Sequence, residues 1–337
     1  MIRRQNNYRL TGRNTFRMDV ACACWIEYDR PEDLAELDLG ALPQPVLHVG
    51  AGSNLLFTGD FPGTLLHSNV KYYRMVADAE EEVLVEVGAG VVFDDFCAWA
   101  ADNELWGAEN LSGIPGEVGA AAVQNIGAYG AEIKDIVAQV KCFDLGKRRI
   151  ETLSPAQCAY GYRESAFKHA PLKGRLAVVS VLFRLSKAPR PRLEYGPLKT
   201  AFEGAAPAHP AQVRSLILQI RDAKLPDPEV LGSAGSFFKN PVVSAATYEH
   251  VVAVAAAVPH YDVGPDQIKI PAAWLIEQCG LKGVRLGQAA VYDKQPLVIV
   301  NATGTARPAD ILALEQKVID SVREKFGIEL SPEVEHI

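Results

Sequence analysis

The chain has 337 residues, 48% hydrophobic and 22% charged, with a formal charge of −7 and a sequence pI near 5.6. This length predicts two or three domains, and the acidic balance argues against nucleic-acid binding through phosphate neutralisation. No apolar run reaches the ~18 residues of a membrane span, and MIRRQNNYRLTGRN lacks the apolar segment of a secretory signal, so a cytoplasmic protein is expected.

From the N-terminus, VLHVG at 46–50 predicts a short buried strand, followed by AGSNLLF and a turn-rich TGDFPGT before LLH. VLVEVGAG at 83–90 predicts a strand ending in glycines. From Val91 the period becomes 3.6, placing Val92, Phe96 and Trp99 or Ala100 on one helix face that ends near Asp102–Asn103. Segment 107–130, GAENLSGIPGEVGAAAVQNIGAYG, holds six glycines and only two charges, Glu109 and Glu117. It is too apolar for disorder and too glycine-rich to be helical throughout. IVAQVKCF (136–143) and β-branched RLAVVSVLFRL (175–185) predict strands, and proline-rich SKAPRPRLEYGPL (186–198) a connection between domains.

A clean amphipathic helix is predicted over 211–224, with Val213, Leu216, Ile217 and Ile220 inward. Arg214 and Arg221 lie on the neighbouring stripe, and Lys224 shares a face with Arg221. Prolines 226 and 228 end it. In GSAGSFFKNP (232–241) the glycines permit close backbone approach, while Ser236, Lys239 and Asn240 offer polar groups; a plain turn is the competing reading. A second long helix is predicted over 308–326, with Ile311, Leu314, Val318, Val322 and Phe326 inward and Gly327 as its cap. IELSPEVEHI is expected as a closing strand.

The six cysteines and seven histidines are scattered without metal-ligand spacing, which predicts reduced thiols and no structural metal. Gly50-Ala51-Gly52 and Gly88-Ala89-Gly90 invite a Rossmann reading, but Leu55 and Phe93 stand where its third glycine belongs. Small residues in succession still expose N–H groups that can cradle a pyrophosphate, with Ser53 and Asn54 as added donors. A pair of β-turns is the plain alternative for GAGSN. The second glycine-rich loop favours the cradle, since two such loops can line one flat cofactor.

Asn14-Thr15-Phe16, GAGSN at 50–54, GIPGEVGAAAVQNIGAYG at 113–130, YGYRES at 160–165, GSAGSFFKN at 232–240 and PEV at 332–334 occur in one order along nearly the whole chain. Together they resemble the flavin-dependent UDP-N-acetylenolpyruvoylglucosamine reductases of peptidoglycan synthesis. Segments around Tyr195 and Tyr261 resemble the longer form, in which a tyrosine-bearing loop closes over the substrate. The resemblance implies an α+β protein with an FAD-binding fold of the vanillyl-alcohol-oxidase type in two subdomains, plus a smaller α/β substrate domain. The implied bounds are 1–75, joined by 328–337, then 76–195, then 196–327 for the substrate domain. FAD is expected bound non-covalently, NADPH as co-substrate, and the chain as a monomer or weak oligomer.

Carried over by position, Gly50, Gly52, Ser53 and Asn54 hold the FAD diphosphate. Ile114, Pro115, Gly116, Gly119, Gln124, Asn125, Gly127 and Ala128 line the flavin, with Val178 nearby and Arg221 reaching it. Arg163, Ser236 and Glu333 take the catalytic positions. Tyr195, Lys224, Asn240, Tyr261, Lys282 and Gln295 take substrate-contacting or supporting ones. Tyr292 and Glu335 depart from the family pattern, which more often has a histidine and a basic residue there.

The implied reaction passes hydride from NADPH through FAD to C3 of an enolpyruvyl group, leaving carbanion character at C2. Arg163, Lys224 and Glu333 would balance the developing charge, and Ser236 would protonate C2. Each has a plainer reading: an Arg163–Glu164 surface pair, a dipole-stabilising Lys224, a solvated Glu333. Alternatives are a flavin oxidase of the same fold, a non-catalytic flavin or nucleotide-sugar binder, and a flavin-free nicotinamide dehydrogenase.

Overall fold

The β-branched run near 180 forms the 11-residue strand Leu176–Ser186 of the computed structural model, which describes residues 1–337. It is central to an antiparallel sheet ordered Arg149–Leu153, Val137–Asp144, Leu176–Ser186, Glu82–Gly88, Tyr73–Asp78. A second sheet is ordered Ile2–Arg9, Ala21–Tyr28, Phe61–Ser68, Val46–Val49. Both belong to one unit built from Met1–Tyr8, Cys22–Ala51 and Pro62–Ala223; the other comprises Arg9–Ala21, Gly52–Phe61 and Lys224–Ile337.

In the first unit, the helices Phe93–Asp102 and Val118–Gln124 bury their apolar faces against the five-stranded sheet, and Phe96 stacks on Phe183 with centroids 4.3 Å apart. The helix start differs from the sequence reading. Val92 is 42% exposed and serves as the N-cap, so the inward face is Phe93, Phe96, Cys97 and Ala100. A separate cluster of Cys24, Ile26, Tyr28, Leu66, Phe143 and Val179 joins the two sheets. The helix Pro210–Lys224 packs Val213 and Ile217 onto Trp106 and Leu198, with Leu216 and Ile220 alongside.

Several strands lie outside the sequence reading. Ala21–Tyr28 buries Cys22, Cys24, Trp25, Ile26 and Tyr28, so no alternating pattern marks it. Tyr73–Asp78 is an exposed edge. The expected turn at TGDFPGT gives way to strand from Phe61, because Pro62 precedes the stretch Thr64–His67 that pairs with Val46–Val49.

The second unit holds a sheet ordered Ser233–Ser236, Val298–Asn301, Ala289–Val291, Arg285–Leu286 and a small one of Val242–Val243, Gln267–Lys269 and Tyr261–Gly264. The helix Pro308–Phe326 buries all five residues expected to face inward and is capped by Gly327 at φ +68°. The closing segment is strand only at Glu335–His336, parallel to Leu55–Leu56. Pro332 forms an isolated bridge with Phe238, and having no N–H it adds no donor that would extend the bridge into a ladder.

Candidate active site

Backbone geometry shapes the glycine-rich segment of the first unit. Val118 and Gly119 donate their N–H groups to the carbonyls of Val91 and Ala89, and a Cβ on Gly119 would sit 2.9 Å from that of Ala89. Only glycine lets the Val118–Gln124 helix approach that strand end so closely. Asn125 ends the helix in the left-handed region at φ +44°, and its Nδ2 donates to the carbonyl of Gly161 at 2.6 Å. The YGYRES turn is thereby tied to the NIGAYG loop.

Arg163 donates to the carbonyl of Gly127, and a Cβ on Gly127 would lie 2.9 Å from its Nη1. The glycine makes room for the guanidinium. Glu164 pairs with His169 at 2.9 Å. On the other side of the loop, Arg221 Nε donates to the Gly113 carbonyl at 3.1 Å. Burial lowers the pKa of Arg221, opposed by the adjacent Tyr129. Tyr129 meets Tyr195 edge-on at 5.5 Å, placing the expected loop tyrosine beside Ala128. Val178 is buried in the central strand. Ile114, Pro115 and Gly116 continue from Gly113, and Gly50 precedes the crossing into the second unit.

Sequence reasoning missed Asp94 and Asn110, both close to this loop. Asp94 accepts from Gly113 N at 2.6 Å and from Arg214 Nη2 at 2.8 Å, so the Gly113 peptide is gripped at N–H and at C=O. Burial pushes the Asp94 carboxyl up, but Arg214 and the Gly113 N–H outweigh it and hold it below its ordinary value. Asn110 Nδ2 donates to the carbonyls of Tyr129 (2.8 Å) and Arg192 (2.9 Å). Arg214 was visible as a stripe beside the apolar face; nothing in one sequence paired it with Asp94.

In the second unit four separated motifs converge. Ser233 N donates to Thr15 O, and Thr15 N to Gly52 O. A Cβ on Gly232 would lie 2.4 Å from the Phe16 carbonyl oxygen, so that glycine is required by close approach. Glu333 N donates to Phe237 O at 2.8 Å, Asn54 Nδ2 donates to Glu333 O at 3.1 Å, and Glu335 N donates to Asn54 O at 3.0 Å. Phe237, Glu333 and Asn54 are thus linked, and half-buried Ser236 immediately precedes fully buried Phe237 and Phe238. Ser53 lies between Gly52 and Asn54 in the same loop. Ser236 pairs with Val298, and Phe237 N donates to Leu297 O, which brings the Gln295 turn alongside.

The remaining expected substrate residues are less concentrated. Asn240 Oδ1 accepts from Ala272 N at 2.9 Å, so its carbonyl is committed to a helix start and its NH2 is what could face a ligand. Lys282 pairs with Glu277 at 2.8 Å, both well exposed. Tyr261 is 55% exposed with Lys269 over its ring at 5.8 Å. Lys224 closes the Pro210–Lys224 helix. Tyr292 packs on Ala290, Val298 and Val300.

The loop of the first unit fits a flavin. Gln124 Oε1 and Asn110 Oδ1 are buried without a hydrogen-bond partner, the kind of unanswered polar group that a cofactor's donors satisfy. A family model described as FAD binding domain matches residues 39–154. The crystal structure of UDP-N-acetylenolpyruvylglucosamine reductase from Thermus caldophilus superposes with a TM-score of 0.69 over 100% of this chain and 98% of that one, at 24% identity. The class is therefore an α+β protein with an FAD-binding domain.

A second family model, UDP-N-acetylenolpyruvoylglucosamine reductase, C-terminal domain, matches residues 227–337. Proteins named UDP-N-acetylenolpyruvoylglucosamine reductase are 46% identical in Bacteroides fragilis (99% of this chain, 100% of that one) and 44% identical in Chromobacterium violaceum (95% of each). The chain belongs to the UDP-N-acetylenolpyruvoylglucosamine reductase family and is an FAD-dependent oxidoreductase. No helix in it is long and apolar enough to cross a membrane.

Proposed function

We propose that the chain reduces the enolpyruvyl group of UDP-N-acetylglucosamine enolpyruvate to give UDP-N-acetylmuramate, with NADPH as the electron source, in the cytoplasm and as a monomer or weak oligomer. FAD held non-covalently would supply the hydride chemistry between NADPH and C3 of the enolpyruvyl group. Gly50, Gly52, Ser53 and Asn54 would hold its diphosphate, and Ile114, Pro115, Gly116, Gly119, Gln124, Asn125, Gly127 and Ala128 its ring, with Val178 and Arg221 in support. Tyr195, Lys224, Asn240, Tyr261, Lys282 and Gln295 contact or support the sugar nucleotide.

The observation that supports this reading is the set of bonds running from Phe237 through the Glu333 backbone to Asn54, which sets the segments of Ser236 and Glu333 next to each other. Ser236 protonates C2. An alcohol is a weak acid, but the carbanion it meets is a strong base, so the transfer runs downhill. Arg163 and Lys224 supply fixed positive charge to the carboxylate as charge builds there, and Glu333 supports the same region. No part of this order requires a metal.

Two anaerobic half-reactions test the assignment. Ser236→Ala is expected to be bleached by NADPH at nearly the parent rate, while recovery of the yellow colour on adding the enolpyruvyl sugar nucleotide slows ~10³-fold or more, toward the upper range for a positioned general acid. Equal losses in both halves would remove Ser236 from its role.

A further inference from the structure

Glu117 lies inside the flavin-loop motif, yet its side chain makes no helix cap. It turns instead to His67, whose Nε2 is 2.9 Å from Glu117 Oε1. The other ring nitrogen, Nδ1, is 3.1 Å from Glu27 Oε2. Glu27 Oε1 in turn accepts from Arg3 Nη2 at 2.8 Å and Nε at 3.0 Å. The ring of His67 is fixed by Trp25, stacked at 5.2 Å and 26°. These residues all belong to the first unit.

Carboxylate oxygens face both ring nitrogens of His67. Arg3 also donates to Asp29 at 2.6 and 2.9 Å, so its charge is shared between Glu27 and Asp29, and His67 is the group that faces Glu117 directly. The side chains of His67 and Glu117 are only 4% and 10% exposed, so solvent does little to balance the carboxylate. His48 contributes no second cation: burial, and then His67, push its pKa down to about 3.

The free end of Glu117 points at a functional position. Its Oε2 lies 3.2 Å from where a Cβ on Gly50 would be. A bare carboxylate there would repel a diphosphate held by the Gly50 loop. We propose that His67 is a positioning residue for FAD: by balancing Glu117, it lets the loop beginning at Gly50 accept the cofactor's diphosphate. This rests on the reading of that loop as the diphosphate site. The plain alternative is a structural pin between the Phe61–Ser68 strand and the Val118–Gln124 helix.

The test is FAD titration of the flavin-free full-length chain, followed by flavin fluorescence, on His67→Gln, Glu117→Gln and the double variant. His67→Gln should weaken FAD binding ~10-fold or more, the scale of one unbalanced charge a few ångströms away. Raising salt should shrink the loss. Glu117→Gln should bind FAD at least as tightly as the parent. The double variant should return to within about threefold of the parent, since the repelling carboxylate is gone. A structural pin predicts the opposite, with the double variant as weak as His67→Gln or weaker.

Parent-like FAD affinity in His67→Gln, or no rescue in the double variant, overturns the proposal. Should His67→Gln fail to fold by circular dichroism, Glu117→Gln decides alone, and a tenfold loss of FAD affinity there overturns it. Ser53→Asp separates the two layers of the argument by adding a negative charge to the loop itself. If Ser53→Asp binds FAD normally, the diphosphate reading fails; if it is weakened while the double variant shows no rescue, only the role of His67 fails.

Discussion

Removing Asp94 should both destabilise the first unit and loosen its flavin loop. The side chain of Asp94 is 31% exposed and that of Arg214 16%, so this pair is shielded better than an ordinary surface bridge. Asp94→Ala deletes charge-assisted bonds to Gly113 N and to both Arg214 terminal nitrogens, leaving a largely buried guanidinium unpaired. Breaking one side of a buried pair costs ~3–5 kcal/mol, and the partial exposure of Asp94 puts the estimate at the low end. A loss of about 3 kcal/mol corresponds to ~6–12 °C in melting temperature for a unit of this size. Asp94→Asn keeps an oxygen for Gly113 N and should lose only ~1–2 kcal/mol. Thermal unfolding of the flavin-free chain by circular dichroism reads these shifts, and FAD titration should show ~10-fold weaker binding for the alanine variant, about 1.4 kcal/mol. If Asp94→Ala melts within about 2 °C of the parent, or Asp94→Asn is the worse of the two, the reasoning is wrong.

Two further outcomes follow from the second unit. Gly52→Ala puts a Cβ 2.3 Å from the Arg13 carbonyl oxygen at a residue with φ +70°, so strain and clash together should cost at least ~2 kcal/mol; a melting temperature within 1 °C of the parent would contradict this. His336 Nε2 lies 3.2 Å from Glu315 Oε2, and that carboxylate raises its pKa above the ordinary 6.5. A raised folded pKa means the stabilisation is complete below 6.5 and disappears as pH rises through the folded value. At this partly exposed site it is worth less than about 1 kcal/mol. Parent and His336→Gln melting curves should therefore differ most at mildly acidic pH and converge at alkaline pH; a gap that widens with pH would reverse the sign.

Much of the architecture was legible because its signals are local. The helix Pro308–Phe326 shows its inward face and its glycine cap in the spacing of Ile311, Leu314, Val318 and Val322. The strand Leu176–Ser186 announces itself by β-branching. Ala21–Tyr28 did not, because burial on both faces erases alternation, and Tyr73–Asp78 did not, because an exposed edge places few demands on composition. For the site, the glycine-rich strings marked where the backbone must approach something closely. The polar residues bracing those strings were invisible: Asp94 reaches Gly113 across 19 positions and His67 reaches Glu117 across 50.

What the sequence determined by itself is the family, since the glycine-rich strings and the segments around Arg163, Ser236 and Glu333 stand in motifs whose order and wording are specific. Only the tertiary structure decided which of them are neighbours. Asn54 and Glu333 are 279 positions apart and share a hydrogen bond, and Gly113 is gripped from two helices at once. Motif chemistry is written into a few consecutive residues, whereas the pairing of a distant carboxylate with a particular N–H or imidazole depends on where packed strands and helices bring the chain back.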